Sequence, residues 1–116
     1  MIKFSILIPT FNNIEYLKLA INSIKINSKY EHEIIVHINE GSDGTLEYVQ
    51  REGLIYTHSD INIGLCSSIN KAATKISTQY VLYVHDDMYL CKNWDEILEK
   101  EITNLDNDLF YLSGTN

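Results

Sequence analysis

Two adjacent aspartates, Asp86 and Asp87, directly follow an apolar segment at residues 80–85. Adjacent carboxylates at the end of a strand repel each other unless a cation or hydrogen-bond donors lie between them. Magnesium and manganese prefer oxygen ligands and complete their coordination shell with water and substrate phosphates. The pair therefore indicates a divalent-metal site for a ligand that carries a diphosphate. The alternative is a surface turn in which both carboxylates are solvated.

Hydrophobic periodicity predicts the elements that would position this pair. Short apolar runs predict strands at residues 3–8, 33–38, 54–58, 80–85 and 109–112, and apolar residues at helical spacing predict helices at about 12–27, 45–52, 65–76 and 93–105. Pro9 is expected to end the first strand, because it has no backbone N–H. Asn12 with Glu15, and Asn93 with Glu96, are expected to form capping boxes at the first and last helices.

The alternation of strands and helices predicts an α/β fold with a Rossmann-like parallel sheet flanked by helices on both faces. In open sheets of this kind, ligands bind beyond the carboxyl ends of the strands, where the strand order reverses. The polar clusters of the sequence follow predicted strands in this way, at residues 10–13, 39–43 and 86–87. We therefore expect one binding site, formed by these three clusters.

Composition excludes several classes of partner. The 116 residues carry a formal net charge of -7, which is unsuited to nucleic acid and to anionic membrane surfaces. The length predicts one domain over residues 1–116. We find no apolar run of membrane-spanning length and no signal peptide, and Cys66 and Cys91 lack the spacing of a zinc site or a disulfide framework. A cytoplasmic location is therefore expected.

Four segments, taken in order, resemble the nucleotide-sugar-binding half of the family-2 glycosyltransferases, which have the GT-A fold. The segments are residues 5–13, residues 33–36 leading to 41–45, residues 62–65 with 70–72, and residues 81–88. The resemblance implies a nucleoside-diphosphate-sugar donor, a Mn²⁺ or Mg²⁺ cofactor, and transfer with inversion to an acceptor hydroxyl. We expect the nucleotide to be a uridine in preference to a guanosine diphosphate.

The resemblance also implies roles for the residues after the first three strands. The turn formed by Pro9, Thr10, Phe11 and Asn12 would lie against the nucleoside, although Thr10 and Asn12 also suit a strand end and a helix cap. Where the family usually has an aspartate that accepts a hydrogen bond from the base, this chain has Asn39 with Glu40 beside it, and either could accept a uracil imide proton. Asn62 and Gly64 would form a wall over the base or ribose, or simply a loop and a helix start.

The fourth segment takes the place of the family's DxD-type motif, with His85 where the first aspartate can stand. By resemblance, Asp87 binds the metal, and Asp86 binds the ribose or the waters of the metal. We count both aspartates as candidate metal ligands. His85 is either an additional ligand or a strand-end residue that packs against its neighbours.

No residue is assigned as the catalytic base, because this family takes its base and most of its acceptor pocket from a second half. The chain is therefore expected to be a truncated enzyme, a stand-alone donor-binding domain, or a subunit completed by another polypeptide or a second copy. The acceptor, whether glycan, lipid or protein, is not assigned. Two other functions remain open. One is a non-catalytic binding or assembly module, and the other is a phosphoacceptor signalling domain, whose acidic pair would however follow the first strand.

Overall fold

A computed structural model of the chain describes residues 2–104. Its elements alternate as the hydrophobic periodicity predicts. The strands are β1 (Ile2–Phe11), β2 (Glu31–Asn39), β3 (Ile55–Ser59) and β4 (Tyr80–Tyr83), and the helices are α1 (Ile14–Asn27), α2 (Thr45–Arg51), α3 (Leu65–Ala73) and α4 (Trp94–Thr103). The fifth predicted strand, at residues 109–112, lies outside the described residues.

The four strands form one parallel sheet in the order β3-β2-β1-β4. The chain first adds strands on one side of β1 and then crosses to its other side, so the strand order reverses between β1 and β4. The carboxyl ends of these two strands therefore flank the crevice in which such sheets bind ligands. The predicted α/β fold is confirmed.

Successive side chains of a strand point to opposite faces of the sheet. The sheet therefore has a hydrophobic core on each face. On one face, Ile6, Ile8 and Val36 pack with Leu17 and Ile21 of α1, and the core extends to residues of α2 and to the partly buried Trp94 at the start of α4. On the other face, Leu7 and Ile35 pack with Ala72 of α3. The helices therefore cover both faces of the sheet, as predicted.

Strand β1 continues past Pro9, contrary to the prediction that proline ends it. Pro9, Thr10 and Phe11 pair in register with residues 37–39 of β2. The carbonyl of Leu7 accepts from Val84 N–H just after β4, so the main-chain polar groups of Leu7, and of Pro9 two residues later, face the β4 side. Because β4 has ended there, the missing N–H of Pro9 costs the sheet no hydrogen bond.

Neither predicted capping box forms. Helix α1 begins after Asn13, α4 begins after Asn93, and neither asparagine makes a side-chain cap hydrogen bond. Asn12 has a left-handed φ of 44° and Asn93 one of 63°, whereas a capping residue normally has extended backbone geometry. At the start of α1 the N–H of Ile14 donates instead to Asp43, and in α4 the N–H of Glu96 donates to the side chain of Asp95. Among residues 2–104, no helix is long and apolar enough to cross a membrane.

Candidate functional site

The acidic pair lies beside the crevice between β1 and β4. The hydroxyl of Thr10, at the end of β1, donates to Asp86 Oδ2 over 2.8 Å. Thr10 is buried, with 3% of its surface exposed, and Asp86 is half-buried. This hydrogen bond joins the two chain segments that flank the reversal of strand order and leaves Asp86 Oδ1 without a partner among the described residues.

Asp87 and His85 differ from Asp86 in their surroundings. Asp87 is exposed, and its carboxylate makes no hydrogen bond to any residue in the described range. His85 is also exposed, its ring lies 4.8 Å from the ring of Tyr83, and its Nδ1 is 3.1 Å from the Tyr83 hydroxyl. Burial and the negative charges of Asp86 and Asp87 raise the pKa of Tyr83. The pair therefore creates a negative potential, and His85 packs against Tyr83.

The donor set of the acidic pair suits a hard divalent cation that keeps most of its other ligands. Within residues 2–104 no group of three or more histidine, cysteine, aspartate or glutamate side chains is arranged to hold a metal. The chain offers Asp87 and the unpartnered oxygen of Asp86, and both are carboxylate oxygens. Magnesium and manganese are commonly held by one or two carboxylates together with water and substrate phosphates. The residues present fit that mode of binding.

Asn12 connects the ends of β1 and β2 and does not cap a helix. Its Oδ1 accepts from the backbone N–H groups of Gly41 and Ser42 at 3.0 and 3.1 Å, and its Nδ2 donates to Ser42 Oγ at 3.3 Å. Gly41 has a φ of +81°, and a Cβ there would lie 2.7 Å from Ile38 Cγ2. Glycine is therefore required at position 41, and the turn after β2 is tied to the turn after β1.

Asp43, which the sequence reasoning did not single out, serves two helix starts. Its Oδ2 accepts from the N–H of Ile14 at 3.0 Å, and its Oδ1 accepts from the N–H and the hydroxyl of Thr45 at 3.2 and 2.6 Å. Burial alone would raise the pKa of Asp43, but these donors outweigh it and hold the pKa below the ordinary 3.8. The position of Asp43, two residues before a predicted helix, could have indicated its role at the start of α2. Nothing in the neighbouring sequence indicated its contact with α1.

Asn39 is buried at the end of β2, with 3% of its surface exposed. Its Nδ2 donates to the carbonyl of Thr10 and to Ser68 Oγ, at 3.1 and 3.0 Å. Its Oδ1 accepts from the N–H of Ile63 at 2.9 Å and lies 3.1 Å from Ser59 Oγ, whose single proton is shared with the nearer carbonyl of Ile61 at 2.7 Å. The amide thus uses both of its N–H groups and at least one acceptor position inside the protein.

Glu40, the other candidate for the base contact, is exposed and has a left-handed φ of 62°. Its N–H donates to the carbonyl of Ser59 over 2.9 Å, and its own carbonyl lies 2.7 Å from His58 Nε2. Its carboxylate makes no hydrogen bond within the described part of the chain. A non-glycine residue in this conformation costs free energy, which is commonly tolerated where the geometry serves function.

The remaining predicted residues lie around the same edge of the sheet. Asn62 Oδ1 accepts from the N–H of Gly64 over 3.0 Å, and Gly64, with a φ of 86°, precedes α3. Phe11 is 46% exposed and Pro9 is half-buried. The structure therefore brings the turn after β1, the turn after β2 and the loop before α3 together by hydrogen bonds, and joins the first of them to Asp86.

Comparisons with known proteins show the family and the fold. The family model described as Glycosyl transferase family 2 matches residues 5–115. Glycosyltransferase GlyA of Streptococcus pneumoniae serotype 4 is 26% identical in an alignment 113 residues long, which covers 92% of this chain and 16% of that protein. The chain therefore spans about a sixth of this curated relative.

Two solved structures of TarS from S. aureus, covering its residues 1–349, share the fold. The complex with UDP superposes with a TM-score of 0.78 at 25% identity, over 88% of this chain and 32% of that one. The complex with UDP-GlcNAc gives a TM-score of 0.73 at 25% identity, over 87% of this chain and 30% of that one. Since the family model matches nearly the whole sequence and the sheet has the topology of these GT-A enzymes, the chain belongs to glycosyl transferase family 2.

Proposed function

We propose that this chain is the donor-binding part of a glycosyltransferase that holds a UDP-sugar, together with Mn²⁺ or Mg²⁺, at the carboxyl ends of β1, β2 and β4. The observation that carries the proposal is the hydrogen bond from Thr10 to Asp86, which fixes one carboxylate of the acidic pair beside the reversal of strand order. The UDP and UDP-GlcNAc complexes of TarS, the structural relative, support a uridine nucleotide.

In this proposal, different residues bind different parts of the donor. Asp87 would hold the cation, and Asp86 would hold the cation, its waters or the ribose. Residues 9–12, at the end of β1, lie against the nucleoside, and Asn62 and Gly64 form the wall over the base. Glu40 accepts a hydrogen bond from the imide N–H of uracil, because its carboxylate is exposed and makes no hydrogen bond to any described residue.

The chemistry asked of these residues is positioning and charge neutralisation. When bound, the cation would stabilise the negative charge that develops on the departing diphosphate. Asp86 and Asp87 supply the oxygens that keep it beside β4, and the hydroxyl of Thr10 keeps Asp86 in one orientation. Inverting transfer also needs a base that deprotonates the acceptor hydroxyl. We assign no described residue to that role.

Calorimetric titration of the chain with UDP tests the proposal. Binding is expected with Mn²⁺ or Mg²⁺ present and is expected to disappear when a chelator removes the cation, because an acidic protein repels a bare diphosphate. GDP under the same conditions measures the preference for uracil. Equal affinity with and without the chelator would overturn the metal-dependent site, and no binding of any nucleotide would overturn the proposal as a whole.

A further inference from the structure

Asn39 stands where the family usually has an aspartate that contacts the base, yet its environment suits a different role. We infer that Asn39 is a positioning residue, which holds three sides of the donor site in place without touching the nucleotide. The inference rests on the proposed function, since it assigns a role within that site. It is carried by the burial of the amide and by its hydrogen bonds to Thr10, Ser68 and Ile63.

The partners fix the orientation of the amide. The carbonyl of Thr10 can only accept a hydrogen bond, so it must face the Nδ2 group, and the N–H of Ile63 can only donate, so it must face Oδ1. The hydroxyl of Ser68 already donates to the carbonyl of Gly64 at 2.5 Å, so its oxygen accepts from Asn39. An aspartate at position 39 would offer no proton to Thr10 or Ser68 and would place its charge against two acceptors.

The same three hydrogen bonds connect the parts of the proposed site. The carbonyl of Thr10 accepts from Asn39 Nδ2, and the hydroxyl of Thr10 donates to Asp86. Ile63 lies in the loop of the proposed base wall, and Ser68 lies in α3, which begins directly after that loop. One buried side chain therefore ties the end of β1, the loop before α3 and α3 itself to the end of β2. Both N–H groups of the amide are used, Oδ1 accepts from Ile63 and lies against Ser59 Oγ, and the side chain is buried, so a base has no access to Asn39.

The first test replaces Asn39 with aspartate and compares it with Asn22→Asp, which makes the same chemical change at an exposed position of α1. Asn39→Asp is expected to weaken metal-dependent binding of UDP and of GDP by the same factor, about tenfold or more, because two buried hydrogen bonds are lost. Asn22→Asp is expected to leave both affinities within about twofold. A loss confined to UDP, or a reversed preference for the base, would show that Asn39 contacts the base and would overturn the inference.

A double-mutant cycle separates positioning from a general loss of stability. Thr10→Val removes the hydroxyl that holds Asp86 and leaves the carbonyl that Asn39 binds. If Asn39 acts through Thr10, Asn39→Asp should weaken UDP binding much less in the Thr10→Val background than in the original chain. Circular dichroism at the assay temperature selects conditions in which each variant is folded. Strictly additive losses in affinity would contradict the inference.

A third measurement needs no nucleotide, so the inference stays testable even if the chain binds no UDP. In amide NMR spectra of the free protein, Asn39→Asp is expected to shift the resonances of Asp86, Asp87 and Ile63, whereas Asn22→Asp should leave them in place. Unshifted resonances at Asp86 and Ile63 would overturn the positioning role. Absence of UDP binding by the unchanged protein, with these shifts present, would overturn the proposed function alone.

Discussion

Asp86 and Asp87 are adjacent in the sequence but differ in burial and in hydrogen bonding. Thr10 fixes Asp86 in a half-buried position, whereas Asp87 is exposed and makes no hydrogen bond within the described residues. Two like charges this close repel each other in the absence of a cation. In the proposed site, a divalent ion would offset that repulsion, so the metal-free protein would carry a cost that serves binding.

Asp87→Asn is expected to remove metal-dependent UDP binding and to leave thermal stability unchanged or slightly increased. The loss of a charged ligand should lower the affinity about 10- to 100-fold, while the loss of one of two neighbouring negative charges relieves their repulsion. Titration calorimetry and thermal melting measure the two effects. Glu101→Gln is the control, because it removes one charge from an exposed position on α4.

A sharp fall in melting temperature in Asp87→Asn would identify Asp87 as a structural residue. A fall in UDP affinity of the same size in Glu101→Gln would mean that net charge, and not the acidic pair, governs binding.

At this scale the sequence predicts which side chains lie near one another better than what each one does. Asp86, Asp87, Thr10 and Asn39 were all expected at the carboxyl edge, because each follows an apolar strand. The internal hydrogen bonding of Asn39 could not be predicted. Its neighbours come from β1, β3, the loop at Ile63 and α3, and only the folded chain shows that they enclose the amide.

At the scale of elements, α4 is fastened to the sheet by one buried carboxylate. Asp95 accepts from the N–H groups of Lys29 and Tyr30 at 2.9 and 2.8 Å and lies 2.9 Å from His32 Nε2. The Nδ1 atom of His32 accepts from the N–H of Phe4 over 3.2 Å, so the ring is neutral and carries its proton on Nε2. This arrangement links α4 to the starts of both β1 and β2.

Asp95→Asn is expected to destabilise the chain by about 3 kcal/mol. An asparagine offers one oxygen in place of two, and its NH₂ group would face backbone donors, so buried N–H groups lose a charged acceptor. Urea unfolding measures the change. Glu96→Gln, at the next position, is the matched control and should cost less than about 1 kcal/mol, because the pair of Glu96 with Lys29 lies at the surface.

Equal losses of stability in Asp95→Asn and Glu96→Gln would contradict the role of Asp95 in fastening α4. If Asp95→Asn caused no loss of stability in a variant in which His32 is also replaced, the effect would arise from the contact with His32 alone.

Element types were predictable from periodicity, whereas element ends were not. The capping boxes at Asn12 and Asn93 were wrong because an N-terminal N–H can find an acceptor anywhere in space. The N–H of Ile14 is served by Asp43, 29 residues along the chain. The end of β1 was wrong because the cost of a proline depends on whether a neighbouring strand needs its N–H.

At the scale of the whole molecule, the 116-residue chain by itself is expected to bind a donor without glycosylating an acceptor. Inverting displacement needs a base within roughly 3 Å of the attacking hydroxyl, on the face of the sugar opposite the diphosphate. In the proposed site, Asp86 and Asp87 lie on the diphosphate side. The chain also spans only 32% of the TarS chain solved with UDP, so further parts of such enzymes lie outside the match.

Transfer of labelled sugar from UDP-sugars to candidate acceptors, with free sugar measured in parallel, tests this expectation. Slow hydrolysis of the donor is compatible with it, because assistance to the leaving group does not require the acceptor's base. Efficient glycosylation by the isolated chain would contradict it and would direct the search for a base to Asp60 or to a second copy of the chain.

Stability is expected to fall in two stages as the pH is lowered, and the histidines account for the first. Burial lowers the pKa of His32 and of His37 below the ordinary 6.5, and in His32 it outweighs the opposing effect of Asp95. The ring of His37 is fully buried between Thr57 and Ser59. Below pH 6.5 the unfolded chain therefore binds protons that the folded chain refuses, and the free energy of unfolding decreases.

Carboxylates account for the second stage. Burial alone would raise the pKa values of Asp95 and Glu33, but the N–H and hydroxyl groups around them outweigh burial and lower those pKa values below the ordinary 3.8 and 4.5. Asp43 is lowered in the same way. These contributions are complete above about pH 4.5 and are lost as the pH falls through the lowered values. The shifts of Lys3 and Lys29 are upward from 10.5 and do not act in this range.

Urea-unfolding midpoints measured between pH 8 and pH 3 should therefore be level down to about pH 6.5, begin to decline below it, and decline more steeply below about pH 4.5. Replacing both histidines with glutamine, which cannot take up a proton, should remove the first decline and leave the second, because the carboxylates remain. The slope of the urea midpoint against pH is compared between the two proteins. A loss of stability that is the same at every pH therefore does not affect the comparison. A midpoint that stays level or rises between pH 6.5 and pH 5 in the unchanged protein would contradict the burial of neutral His32 and His37.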